Sequence, residues 1–205
     1  MIEAIRHKTN SVIELLSSRD VKLRGGFPAR PFLIAIDGRC GAGKTTLSIA
    51  LRNAIERRIP KPIVTVIHMD DFYPRPDQRT EERFKTPGGN VDHERFLAEV
   101  LEKLEVNEAF SYRPFDCARM ELGEPISVPH SHVVIVEGSY SLHPALRERY
   151  DLKVFLDIEP AEQRRRILMR NGEEKLEEFI ARWIPLEELY FDGCAVRECA
   201  DIILK

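Results

Sequence analysis

A chain that runs "FLIAI" straight into "DGRCGAGKTT" has few folds open to it. Phe32–Ile36 is a continuous apolar run, the pattern of a strand covered on both faces. Gly38, Gly41 and Gly43 follow within Gly-x-x-x-x-Gly-Lys-Thr, and "KTTLSIALRNAIERR" then reads as a helix. Strand, glycine-rich loop and helix in that order make a phosphate-binding P-loop. Backbone N–H groups must turn inward around an anion, and Cβ atoms would obstruct both that conformation and the approach. The helix that follows adds free N–H groups and its positive dipole end. Lys44 supplies a mobile charge toward the terminal phosphates, and the Thr45 hydroxyl is a ligand for Mg²⁺. The candidate nucleotide-binding segment is therefore Gly38, Arg39, Cys40, Gly41, Ala42, Gly43, Lys44, Thr45 and Thr46.

The rest of the chain alternates in the same way. "IVTVIHM", "HVVIVEG", "LKVFLDI" and "DIILK" read as further strands, and "FSYRPF" as a short extended piece. "DHERFLAEVLEKLEV", capped by Asp92, and "PAEQRRRILMR" read as helices, as does "EEKLEEFIARWIPLEELYF" with Pro185 bending it. Pro60 and Pro62 are expected to stop the helix after the loop. Met1–Ser18 has a helical period with Ile5, Val12, Leu15 and Leu16 as its apolar stripe, and "GGFPARP" breaks it. Strand–helix alternation implies an α/β fold: a mostly parallel central sheet with helices on both faces, a three-layer sandwich of the P-loop NTPase kind. One domain over 1–205 is expected, with 1–25 as an N-terminal helical extension.

Composition excludes several classes. A net charge of −3 gathers neither nucleic acid nor an anionic membrane. No apolar run reaches bilayer length, and the N-terminus lacks a signal-peptide core, so a cytoplasmic protein is expected. Cys40, Cys117, Cys194 and Cys199 show no zinc spacing and are expected to be reduced thiols.

Ligands of open α/β sheets sit beyond the carboxyl ends of the strands. There the second strand delivers Asp70, Asp71, Phe72 and Tyr73, and "VEGSY" delivers Glu137. One such carboxylate can hold Mg²⁺ and another can accept a proton from an attacking hydroxyl. A kinase, a hydrolase or switch, and a non-catalytic ATP-binding regulator all remain open to a P-loop. An Asn-Lys-x-Asp guanine-reading motif is absent from the sequence. His68, just before the acid pair, is expected to be a packed core residue, and Trp183 likewise.

From Phe32 to the C-terminus the chain resembles the uridine kinase-like branch of P-loop kinases, which includes uridine–cytidine kinases, phosphoribulokinase and bacterial pantothenate kinase. The resemblance rests on "DGRCGAGKTTLS", "MDDFYP", "NVDHERF", "YRPFDCAR", "VVIVEGSYSLH", "RRRILMRNG" and "ADIIL". It implies ATP and Mg²⁺ as cofactors and a small acceptor, a nucleoside such as uridine or cytidine. Pantothenate, a sugar or a sugar phosphate is the alternative. It implies no nucleic-acid or membrane partner, and it leaves a homo-oligomer open. By the same resemblance Asp70 is the base and a metal-site acid, Tyr73 lines the nucleoside pocket and Asp92 grips ribose hydroxyls. Glu137 is the Mg²⁺-linked acid. Arg166 and Arg170 belong to a catalytic lid at about 164–174, with Arg165 able to replace either. Tyr112 matches a pocket tyrosine. Two positions depart from the family: Cys117 stands where uridine–cytidine kinases carry a base-reading His, and Pro114 where they carry an aromatic. Arg119 closes that segment and is a candidate for meeting a polar or anionic substrate.

Overall fold

The computed structural model describes residues 2–18, 29–58, 63–106 and 108–205. Pro60, Pro62 and residues 19–25 of the expected N-terminal extension lie outside them. Helix α1 (Ile2–Ser18) is followed by strand β1 (Phe32–Gly38), helix α2 (Lys44–Arg58) and strand β2 (Val64–His68). Two short 3₁₀ turns and α3 (Glu81–Lys85), capped by the Thr80 hydroxyl, lead to α4 (His93–Phe96). Asp92 caps α4 by accepting from the Arg95 N–H, as expected. A π turn over Leu97–Leu101 joins α4 to α5 (Glu102–Glu105).

Two small antiparallel pairs follow: β3 (Phe110–Tyr112) with β6 (Ile126–Val128), and β4 (Phe115–Asp116) with β5 (Glu121–Leu122). Strands β7 (Val133–Glu137) and β8 (Leu152–Leu156), helices α6 (Pro160–Asn171), α7 (Glu173–Glu178), α8 (Ile184–Gly193) and α9 (Val196–Cys199), and strand β9 (Ile202–Leu204) complete the chain. Pro185 sits in the first turn of α8, directly after a π turn at Phe179–Trp183. Proline has no N–H to give the preceding turn, which accounts for a local change of helix geometry there.

The central sheet has five strands in the order β2-β7-β1-β8-β9, all parallel. Its central strands β1 and β7 read as near-continuous apolar runs because both faces are covered. Leu33, Ala35, Val134 and Val136 face a core with Phe72, Phe96 and Tyr190. Ile34, Ile36, Val133 and Ile135 face a second core with Leu47, Leu51 and Ile55 of α2 and Val12 and Leu16 of α1. The stripe expected on α1 holds at Val12 and Leu16 and gains Ile13, while Ile5 and Leu15 are only partly covered. No helix among the described residues is long and apolar enough to cross a membrane.

Register is what builds the site. Ile36 and His68 both lie level with Glu137 across their ladders, so three strands end together beside the glycine-rich loop.

Candidate active site

The loop 38–46 wraps from the end of β1 onto α2. Gly38 has φ of +135°, and a Cβ there would meet the Leu156 carbonyl oxygen at 2.0 Å, so only glycine fits. Gly43 has φ of +95° and opens on empty space, as a cradle for an anion must. Lys44 Nζ donates to the carbonyls of Gly38 (2.7 Å) and Arg39 (3.1 Å) and to Ser139 Oγ (3.2 Å). The Thr45 hydroxyl donates to Glu137 Oε1 at 3.0 Å.

Behind the loop lies a network that the sequence did not announce. Asp37 is fully buried. It accepts from the N–H groups of Gly38 (2.6 Å) and Leu142 (2.8 Å) and from the Tyr190 hydroxyl (2.7 Å). Glu187 of α8, also buried, accepts from Cys40 N–H (2.9 Å), Ser139 Oγ (2.8 Å) and Gln163 Nε2 (3.1 Å). Burial pushes both carboxyls above their usual range, partly offset by Lys44 and these hydrogen bonds. The Arg39 side chain turns away from the anion site. It pairs with Asp157 and Glu188 and lies over the Phe191 ring, so only its backbone serves the loop.

In front of the loop is a cavity of about 770 Å³. The loop forms one wall. Asp70, Tyr73, Arg79, Cys117 and Tyr140 line another part of the cavity, and Glu137, Ser139, Arg166, Arg170 and residues of the segment 175–183 complete the lining. Asp70 is exposed to the cavity, yet the protein packed around its carboxyl disfavours the charged form and raises its pKa, opposed by Lys44 and reinforced by the neighbouring Glu137 charge. The Tyr73 hydroxyl donates to Asp70 Oδ1 at 3.3 Å. Oxygen donors of Thr45, Glu137 and Asp70 thus gather beside the loop, a hard donor set that fits Mg²⁺ bound mainly through phosphates.

Several expected residues sit elsewhere. Asp92 is fully buried. Besides capping α4, it faces Arg75 at 3.4 Å and Arg95 at 3.5 Å, outside the cavity lining. Tyr112 points inward from β3, donating to Asp71 Oδ2 at 2.7 Å against the Phe72 ring, and is no pocket residue here. Arg119 is 70% exposed and paired with Glu121 at the tip of the β4–β5 hairpin. His68 is not packed core. Its side chain is 46% exposed, and Nδ1 lies 2.6 Å from Glu137 Oε1, which raises its pKa through that bond. Trp183 lines the cavity rather than filling the core, with Nε1 donating to Glu178.

On α6 the arginines divide by helical spacing. Arg166 and Arg170 face the loop, one donating to the Gly41 carbonyl at 3.1 Å and the other 3.4 Å from Cys40 Sγ. Arg165 is exposed and pairs with Glu162.

Residues 33–174 match the model of the phosphoribulokinase / uridine kinase family. The chain belongs to that family. Its relatives include a uridine kinase of Alkaliphilus metalliredigens, 30% identical over 154 residues, or 71% of each chain. One of Streptococcus gordonii is 27% identical over 190 residues, 85% of this chain and 86% of that one. Among solved structures, a possible uridine kinase from Bacillus stearothermophilus superposes with a TM-score of 0.69 at 20% identity, covering 97% of this chain and all of that one. A D-glycerate 3-kinase from Cryptococcus neoformans has a TM-score of 0.58 at 19% identity, covering 93% and 89%. These solved structures share the fold, and family membership makes the protein a phosphotransferase acting on a small molecule. The resemblance drawn from the motifs is thereby borne out.

Proposed function

We propose that the protein is an ATP- and Mg²⁺-dependent kinase that transfers the γ-phosphoryl group to a hydroxyl of a small organic acceptor, with Asp70 as the general base. The observation that carries this is the placement of Asp70: a carboxyl exposed to the cavity that the phosphate loop also lines, raised by the protein packed around it and steadied by Tyr73. A base with an elevated pKa takes a hydroxyl proton more readily than an ordinary exposed carboxylate.

The loop amides and Lys44 hold the phosphates, Lys44 leaving its two carbonyl partners for phosphate oxygens. Thr45 and Glu137 would hold Mg²⁺, with Asp70 near enough to share its waters; the ion supplies charge neutralisation on the phosphates. His68 fixes the Glu137 carboxylate through the shared Oε1. Arg166 and Arg170, at the start of the lid segment 164–174, reach the loop from above and would offset charge developing on the transferred group. Residues from Lys175 to Trp183 border the cavity, and their closing over bound nucleotide would exclude water.

The uridine kinases among the relatives support a nucleoside acceptor. Against it stand Cys117, a weak hydrogen-bond partner in place of an imidazole, and the buried Tyr112. The deciding experiment measures ADP release with ribonucleosides, pantothenate, sugars, sugar phosphates and hydroxy acids. Release that depends on an acceptor is expected. Equal release with none present would make the protein a hydrolase or switch instead.

A further inference from the structure

The cations that border the cavity are not equivalent. Lys175 is paired with Glu178, and Arg166 with Glu162. Arg182 lies over the rings of Trp183 (4.6 Å) and Phe84 (5.2 Å). Lys44 and Arg170 lie against the phosphate loop. Arg79 alone of these stands with Asp70, Tyr73 and Cys117, the part of the lining assigned above to the acceptor and here called the acceptor wall. Its Nε donates to the Pro74 carbonyl at 2.8 Å, which fixes the plane of the guanidinium. The Phe115 ring lies 5.7 Å beneath it, and Nη2 lies 3.6 Å from Cys117 Sγ. Among the described residues it has no carboxylate partner.

A half-buried guanidinium, oriented by its own loop and unpaired on the wall that must receive the acceptor, is a receptor for a planar or tetrahedral anion. The wall also lacks the imidazole that would read a pyrimidine, and its thiol is pushed above the usual range by burial. We infer that the acceptor carries an anionic group, a phosphate or a carboxylate, which Arg79 binds while the acceptor's hydroxyl meets Asp70. This rests on the kinase reading above and narrows its substrate class. It also moves the anion-meeting role from Arg119, which faces solvent, to Arg79.

The test uses matched acceptor pairs on the full chain: a pentose and its 5-phosphate, a nucleoside and its 5′-monophosphate, glycerol with glycerol phosphate and with glycerate. The anionic member of at least one pair should exceed its neutral partner in kcat/KM by roughly 10–100-fold, the scale of a charge-assisted hydrogen bond. The phosphate and carboxylate arms separate the two anions. Arg79→Gln should erase most of that preference, chiefly through KM, and Arg79→Lys should restore part of it. A preference for neutral acceptors would overturn the inference while leaving the kinase standing. Equal losses on both members of a pair, the same for Gln and Lys, would also overturn it by reducing Arg79 to a brace for the loop. ADP release with no acceptor in either arm would remove the kinase reading itself, and the inference with it.

Discussion

The two walls of the cavity are built by opposite means. The phosphate wall is backbone: nine consecutive positions, 38–46, whose shape is set by glycine dihedrals and a helix start and braced from behind by Asp37 and Glu187. The wall we assign to the acceptor is side chain: Asp70 and Tyr73 after β2, Arg79 beyond a 3₁₀ turn, Cys117 from a hairpin, Tyr140 after β7. Backbone recognition suits a ligand part that every such kinase shares, since main-chain donors survive substitution around them. Side-chain recognition suits the part that differs, since five separate residues can each change without disturbing the sheet.

Removing one cation from the backbone wall should break the comparison hardest. Lys44→Ala is expected to lower turnover by about 10³-fold or more, the scale of losing a transition-state cation in phosphoryl transfer. Circular dichroism should stay native, because the ammonium contacts loop carbonyls and Ser139, not the core. Turnover within tenfold of wild type would show that the loop does not hold the reacting phosphates.

Asp70→Asn strikes the other wall. It keeps the shape and removes the proton acceptor, so turnover should fall by roughly 10²–10⁴-fold while ATP affinity by calorimetry changes little. A large loss of ATP affinity with normal transfer would exchange the roles assigned to the two walls.

A brace should matter less than a contact. Glu187→Gln places an amide N–H₂ among three donors, from Cys40, Ser139 and Gln163. Nucleotide affinity should weaken by about tenfold, the scale of one mispaired buried group. Unchanged binding of a non-hydrolysable ATP analogue would mean the loop holds its form unaided.

A last effect lies outside the cavity lining, acts on stability and not on turnover, and depends on pH. His143 stacks on His93 at 4.0 Å, and burial together with that neighbour pushes its pKa down to about 4. A pKa lowered from 6.5 contributes stability that is complete above about 6.5 and lost as pH falls through about 4. Urea unfolding should therefore weaken across that window, by no more than about 3 kcal/mol. His143→Gln should flatten this part of the profile, and an identical slope in the variant would assign the loss to other groups.

The same division explains what could be read in advance. The backbone wall was legible because its residues are contiguous and its chemistry requires glycine. The sheet was legible because both faces are covered, so β1 and β7 read as apolar runs and β8 is interrupted only by Lys153. Of the acceptor wall, Asp70 and Tyr73 were legible at the strand end and Cys117 through the family resemblance. Tyr112 was misplaced because pairing between β3 and β6 turns its side chain toward Phe72, a matter of register in strands too short to show a period. Arg79 gave no sign, because it lies in a polar stretch of turns where charge is ordinary. Asp37 and Glu187 gave none either, since a buried acid looks the same in sequence as an exposed one. His68 was misread because it is the last position of β2, where the side chain emerges from cover and meets Glu137.

The Asp37–Tyr190 hydrogen bond spans 153 positions of chain, and β8 receives its edge partner only from Ile202–Leu204. The nucleotide loop is therefore made well before the groups that steady it. Closing so long a loop is entropically little dearer than closing a shorter one, because the penalty grows only logarithmically. What delays it is synthesis itself. A growing chain that has already made β1 and α2 should stay unable to grip nucleotide until α8 has emerged, so a ribosome-stalled chain ending before Glu187 should release ATP as readily as an unrelated one.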